Sequence, residues 1–213
     1  CYTGLVHDRR IDGETQVFGN AGTLYMNAMT WYDHGTQSIW SQPWGRAIEG
    51  SLEGIQLTVL PSQVTTWKSW RAEHPDTLAL ANGVGNIEPA SKQRFRTDFV
   101  IGLILDNQTK AYYFKEAEAA GVINDRVGDI PVVVWAAGDN FHGYVSQIGD
   151  RTLTFRAQGE TLIDEETGST WDIGQGRAVQ GPLKGKVLRS VPSSTAYDWA
   201  WQDFYPESEF YTP

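Results

Sequence analysis

Cysteine is nearly absent: Cys1, the first of 213 residues, is the only one. No disulfide can close within this sequence, so cross-links cannot substitute for a packed core. Long apolar runs are missing as well. No stretch reaches the length a helix needs to span a bilayer, and no signal peptide is visible. Basic residues are few, 17 Lys and Arg against 26 Asp and Glu, which leaves a formal net charge of −9 and a pI of about 4.9. That balance argues against nucleic acid as a main partner, because phosphate binding requires a basic surface, and equally against an anionic membrane surface. Several catalytic signatures are also absent. There is no GxxxxGK[ST] loop, no GxGxxG opening a helix, no HExxH pair and no GxSxG elbow, so nucleotide binding, zincin chemistry and serine-hydrolase chemistry have no support.

Aromatic residues are plentiful: nine Trp, nine Tyr and eight Phe. Such side chains stack on sugars and other flat ligands, but more often they fill cores and anchor turns.

The strongest signal is an internal duplication. Residues 31–78 lie over residues 162–209 without a gap. Asp33, Thr36, Ser38 and Trp40 meet Asp164, Thr167, Ser169 and Trp171, and Gly45-Arg46-Ala47 meets Gly176-Arg177-Ala178. Gly50, Leu52, Gly54 and Leu57 meet Gly181, Leu183, Gly185 and Leu188; Pro61-Ser62 meets Pro192-Ser193; Trp70 meets Trp201 and Pro75 meets Pro206. Upstream, the match resumes in a second register that sets Phe18 on Phe155. A fixed register over this length marks two copies of one structural unit. The second copy has a leader, from about Phe99 to Phe141, with no counterpart ahead of Cys1. The first unit therefore reads as truncated at its N-terminus, and Cys1 as a cut inside a motif rather than a lipidated residue.

Short β-branched and aromatic runs dominate: VFGNAG, TLYMNAMTWY, IQLTVL, DFVIGLIL, KAYYF, IPVVVWAA, HGYVSQI, RTLTFRA and KVLRSV. Asp12-Gly13 and Gly149-Asp150 fit hairpin turns, and IPVVVW, lacking polar alternation, fits a strand buried on both faces. Three helices are predicted: TTWKSWRAEH, capped by Ser62 or Thr65 and ended by Pro75; KEAEAAG, stopped by Gly121; and TAYDWAWQDFY, ended by Pro206. The expectation is an α+β fold, mostly β, with two tandem homologous units related by a pseudo-twofold. Residues 1–80 form the first unit, 81–98 a linker and 99–213 the second unit.

The constellation common to both copies is Asp-x-x-Thr-x-Ser-x-Trp followed by Gly-Arg-Ala. Asp33 and Asp164, with nearby hydroxyls, can close turns on backbone amides. In a framework reading Arg46 pairs with Asp33 and Arg177 with Asp164, and Arg177→Ala then costs stability. In a functional reading the same Asp and Arg residues bind an anion or polar ligand. Of the four histidines, His74 sits at a helix end, where an imidazole can meet the last carbonyls. His34 replaces Glu165 of the second copy, and His7 lies six positions from Cys1. Cys and His together suit a transition metal such as zinc or copper, although two ligands alone make no site. Asp164, Glu165, Glu166 and Asp172 form an acidic stretch that suits either a solvated turn or a hard cation, without an EF-hand pattern.

In combination, CYTGLVHDRRIDG, FGNAGTLYMNAMTWYDHGTQSIWSQ, GRAIEG, TTWKSWRAEHPDT, GVINDRVGDIPVVV and DEETGSTWD resemble the bacterial and archaeal family called domain of unknown function 3179, over nearly the whole chain. The resemblance implies an exported, extracytoplasmic protein. It also implies a Cys-x-x-Cys pair ahead of the first copy, of which Cys1 matches the second cysteine. His7 departs from the family's aromatic residue before Asp-Arg, and His34 from its usual Arg. Two functions stay open. One is a non-catalytic binding or scaffold module for a glycan or protein ligand. The other is a metal- or cysteine-dependent enzyme whose site includes Cys1, His7 and Asp33 or His34, completed by an upstream segment.

Overall fold

The computed structural model describes residues 4–63, 65–79, 98–138, 140–159 and 161–213. Cys1 and the expected linker, apart from Asp98, lie outside the described residues. The described residues are β-rich and include three seven-residue helices: α1 (Trp67–Glu73), α2 (Phe114–Ala120) and α3 (Asp198–Phe204). Two compact units form. Unit 1 comprises Cys1–Ser62, Val100–Ala111 and Pro192–Pro213, and unit 2 comprises Gln63–Phe99 and Tyr112–Val191. The compact units are a different division of the chain from the sequence repeats. Unit 1 joins the strands of the first repeat to the helix of the second, and unit 2 joins the strands of the second repeat to the helix of the first.

Each unit contains the same four-stranded antiparallel meander. In unit 1 it runs Phe18–Tyr25, Ala28–Asp33, Ile39–Ser41, Arg46–Glu49. In unit 2 it runs Phe155–Gln158, Thr161–Asp164, Thr170–Asp172, Arg177–Gln180. The register shifts at the equivalent point in both, between Ile39 and Trp40 and between Thr170 and Trp171. Period-2 alternation sets the faces: Ala47 and Ala178 point inward and are buried, while Arg46 and Arg177 point outward. Trp40 and Trp171 are completely buried, and each receives a phenylalanine edge, Phe18 at 5.4 Å and Phe155 at 5.7 Å. Burial of an aromatic side chain of this kind contributes roughly 2–3 kcal/mol, which makes these pairs the centres of the two meander cores.

The expected hairpins form at Asp12-Gly13 and Gly149-Asp150, and Pro131–Val134 are buried in succession as the unalternating run requires. One expected strand is two: TLYMNAMTWY breaks at Met26-Asn27, both at positive φ (48° and 60°), the tight-turn geometry that matches strand twist in a two-residue hairpin. The cap of α1 is Thr66, whose hydroxyl accepts the Ser69 amide, rather than Ser62 or Thr65.

Unit 1 also holds a four-stranded sheet of residues 193–197, 100–105, 108–111 and 209–210. Within it Gly102 lies directly beneath the Trp201 ring, where any Cβ would collide. Ser62 and Ser193, equivalent residues of the two repeats, each donate a hydroxyl to the other's carbonyl, at 3.3 and 3.0 Å. In unit 2 the sheet Val122–Val127, Ile130–Ala137, Asn140–Val145, Arg189–Ser190 lies ahead of the meander, with α2 packed on it.

Candidate functional site

Asp33 and Asp164 are fully buried, and each is held by the equivalent Trp and Thr of its own copy. Asp33 accepts the Trp40 indole N–H at 3.0 Å, the Thr36 amide at 2.5 Å, the Thr36 hydroxyl and the Ser38 amide. Asp164 accepts the Trp171 indole N–H at 2.8 Å and the Thr167 amide and hydroxyl at 2.6 and 2.9 Å. The hydroxyl chain continues from Thr36 to Ser38 and from Thr167 to Ser169, at 2.7 Å in each case. Burial pushes the Asp33 carboxyl up, but the Trp40, Thr36 and Ser38 hydrogen bonds outweigh it and hold the group below the ordinary range. In both copies the donors to the aspartate belong to the turn that it closes. The expected arginine partners are a correction: Arg46 and Arg177 are exposed, and among the described residues the Arg177 guanidinium reaches only the Gly185 carbonyl, at 3.4 Å. Alternation carries the arginine outward from the strand whose next residue points in, so the indole is the aspartate's partner.

His7 is half-buried beneath Gly45, edge-on to Trp31 at 5.6 Å, with Nε2 3.0 Å from the Gln42 carbonyl. In unit 2 Tyr144 stands in the same place. It lies beneath Gly176, and its hydroxyl is 2.6 Å from the carbonyl of Ile173, the equivalent of Gln42. His7 therefore does the work of a tyrosine hydroxyl, donating to a turn carbonyl as the Nε2–H tautomer. Burial lowers its pKa against the raising effect of that bond, which keeps it neutral, and its buried Nδ1 has no partner. His34 is exposed and stacks on Tyr32 at 5.2 Å. The acidic stretch does not converge either. Asp164 belongs to the Trp171 turn, Glu166 accepts the Thr154 amide and Asp172 accepts the Gln175 amide. No three His, Cys, Asp or Glu side chains among the described residues form a group able to hold a metal ion.

Two other places carry unexplained side chains. Unit 1 contains a cavity of about 400 Å³, walled by Leu5, Pro43, Trp201 and Phe204 and rimmed by Leu24, Met26, Met29 and Trp199, with Asn27, Gln42 and Ser194 as sparse polar groups. The rim is unusually bare: Leu24 is 71% exposed and Trp199 48%. Unit 2 contains a polar cluster of Glu73, His142, Tyr144 and Asp172. Burial lowers the His142 pKa to about 4, against the opposing field of Asp172, and raises that of Tyr144, with Asp172 and Glu73 adding to the rise.

The sequence matches the family model described as protein of unknown function (DUF3179) over residues 1–98 and again over residues 86–208. The chain belongs to the DUF3179 family. No curated protein and no solved structure matches it. The two overlapping matches agree with the two meanders of this DUF3179 chain. The sequence reading missed its cavity, because Leu24, Met29 and Trp199 belong to separate elements. It also missed Glu73 and Tyr144, whose association with His142 depends on α1 belonging to unit 2. The repeat register did hold a signal for the cluster: it sets His142 on Leu5 and Glu73 on Phe204, exchanging apolar residues for titratable ones.

Proposed function

We propose that this DUF3179 chain is an exported, non-catalytic binding module that takes an apolar side chain of a protein ligand into the unit 1 cavity. The observation that carries this reading is the exposed rim of Leu24, Met26, Met29 and Trp199 around an apolar hollow. Its volume, about 400 Å³, is within the range of small-ligand pockets. A contiguous exposed apolar patch around a pocket is a feature of interaction sites, methionines adapt their shape to varied partners, and buried aromatic or aliphatic anchors dominate binding energy at interfaces. A glycan finds less here, since its hydroxyls need many polar partners and the walls supply few. The committed hydrogen bonds of Asp33 and Asp164 support a framework role for the motif the repeats have in common. Export rests on the family's exported character.

The test is a fluorescence titration of the full chain with short peptides that each carry one Trp, Leu or Phe, beside soluble oligosaccharides. Saturable binding of the peptides, lost in Leu24→Asp and Met29→Asp variants with unchanged unfolding curves, is the expected result. Oligosaccharide binding without peptide binding, or peptide binding untouched by both substitutions, overturns the reading.

A further inference from the structure

The two units carry the same locus in different chemistry. Where unit 1 places Leu5, Ser41, Pro43 and Phe204, unit 2 places His142, Asp172, Gly174 and Glu73. In unit 1 three of these residues wall the apolar cavity. In unit 2 the cluster gathers about the turn after Asp172. The Tyr144 hydroxyl lies 2.6 and 2.9 Å from the carbonyls of Ile173 and Gly174 and 3.5 Å from Nδ1 of His142. Glu73 lies over the same turn, its carboxyl occupying the space that a Cβ at Gly174 would meet at 2.5 Å.

This cluster is rich in acceptors and short of donors. Glu73 Oε2 is buried without a partner. His142 is 5% exposed; among the described residues its ring meets only the Tyr144 hydroxyl, through Nδ1, and the Asp172 carboxylate accepts only the Gln175 amide, through Oδ1. No Lys or Arg among the described residues pairs with Glu73 or Asp172. A buried carboxylate oxygen with no donor is costly to maintain unless something else supplies one. The acidic and imidazole groups are too dispersed to chelate a metal ion. A cation with several donors spread over a plane suits dispersed acceptors better than a point charge, and the half-buried Trp135, 5.5 Å from His142, adds an aromatic surface on which such a plane can stack.

We propose that the Glu73–His142–Asp172 cluster of unit 2 is a binding site for a guanidinium group. Glu73 supplies charge and the orphan acceptor, neutral His142 a second acceptor through Nε2, and Asp172 Oδ2 the third. The pKa of His142, lowered by burial to about 4, keeps that ring an acceptor at neutral pH. The source of the guanidinium is either a free small molecule or an arginine side chain of a partner.

The experiment follows the ring protons of His142 by NMR in the full chain, assigned by their loss in His142→Asn. It compares methylguanidinium, an Ala-Arg-Ala peptide, methylammonium and tetramethylammonium at constant ionic strength. The expected result is a saturable shift with methylguanidinium. The peptide binding more tightly than methylguanidinium assigns the site to an arginine side chain, and the reverse order assigns it to a free guanidinium compound. Glu73→Gln, which keeps size and removes charge, weakens binding about tenfold or more, as loss of a charge-assisted hydrogen bond requires, while leaving peptide binding at the unit 1 cavity unchanged. A linear, non-saturating response, an equal response to tetramethylammonium, or an unchanged curve in a folded Glu73→Gln variant overturns the proposal.

Discussion

The Asp–Trp contact is the residue on which each meander turns. Its buried carboxyl oxygens need donors, because a polar group buried without them is costly. Asp164→Asn keeps the shape but turns an amide N–H₂ toward donors, so it costs about 3 kcal/mol in denaturant unfolding. Arg177→Ala, by contrast, leaves stability within about 0.5 kcal/mol, since the side chain is exposed. The titrating groups give this contact a pH signature. Asp33 is held below the ordinary carboxylate range, so the unfolded chain takes up its proton first, and that contribution is present above the unfolded pKa and lost as pH falls through the folded one. His142 moves in the same direction. Its pKa drops from 6.5 to about 4 on folding, so its contribution is complete above about 6.5 and is lost between there and about 4, by roughly 3 kcal/mol. Urea midpoints taken from pH 7.5 to 4 should fall, and His142→Leu should flatten the curve over this window. At the alkaline end burial raises Tyr205 to about 12, so its share of stability is lost as pH climbs past the ordinary phenol range. Sequence made the aspartate legible as a turn-former, because Asp, Thr and Ser at that spacing are Asx-turn chemistry. It did not reveal the indole partner seven positions on. That pairing needs the tight turn and the register shift before Trp40 and Trp171, which are properties of the paired strands.

At the scale of an element, the turn at Gly45 and Gly176 decides what can lie beneath it. Both glycines have positive φ, 62° and 58°, and both sit on an aromatic ring, His7 and Tyr144 respectively. Gly176→Ala meets strain and collision together, and costs at least about 2 kcal/mol by thermal unfolding. Tyr144→Phe removes the donor shared by two buried carbonyls and costs about 1–2 kcal/mol, whereas His7→Tyr, which restores the unit 2 arrangement, leaves the fold intact and removes the Nδ1 orphan. An outcome in which His7→Tyr destabilises as much as Tyr144→Phe would show that the two turns are not interchangeable. The helices were legible as elements, since Pro75, Gly121 and Pro206 mark where they stop. Their allegiance was not. A seven-residue helix has too little surface for its pattern to name the unit it packs on, and α1 and α3 each join strands from the other repeat.

For the whole molecule, that allegiance sets how the protein can be divided. Unit 1 is assembled from three segments and needs both the beginning and the end of the chain. A fragment of residues 1–80 therefore has the first meander without the strands at 100–111 or the helix at 198–204, and it should show no cooperative unfolding transition. Addition of residues 81–213 as a separate polypeptide should restore one. Cooperative folding of the 1–80 fragment alone would contradict the assignment. The duplication itself was plain in the sequence, because glycine and tryptophan positions fix register; the interleaving of the two copies was not, because contacts between distant segments leave no periodic trace.

The indole hydrogen bonds of Trp40 and Trp171 have a spectroscopic consequence. Each N–H points at a buried carboxylate oxygen, at 3.0 and 2.8 Å. In a proton NMR spectrum the two should appear as downfield, slowly exchanging indole resonances, separate from those of the exposed Trp67 and Trp199. One belongs to each unit, so a single spectrum taken through an unfolding series monitors both. If the two peaks vanish together the chain unfolds as one cooperative body, and if one outlasts the other the surviving peak identifies the more stable copy.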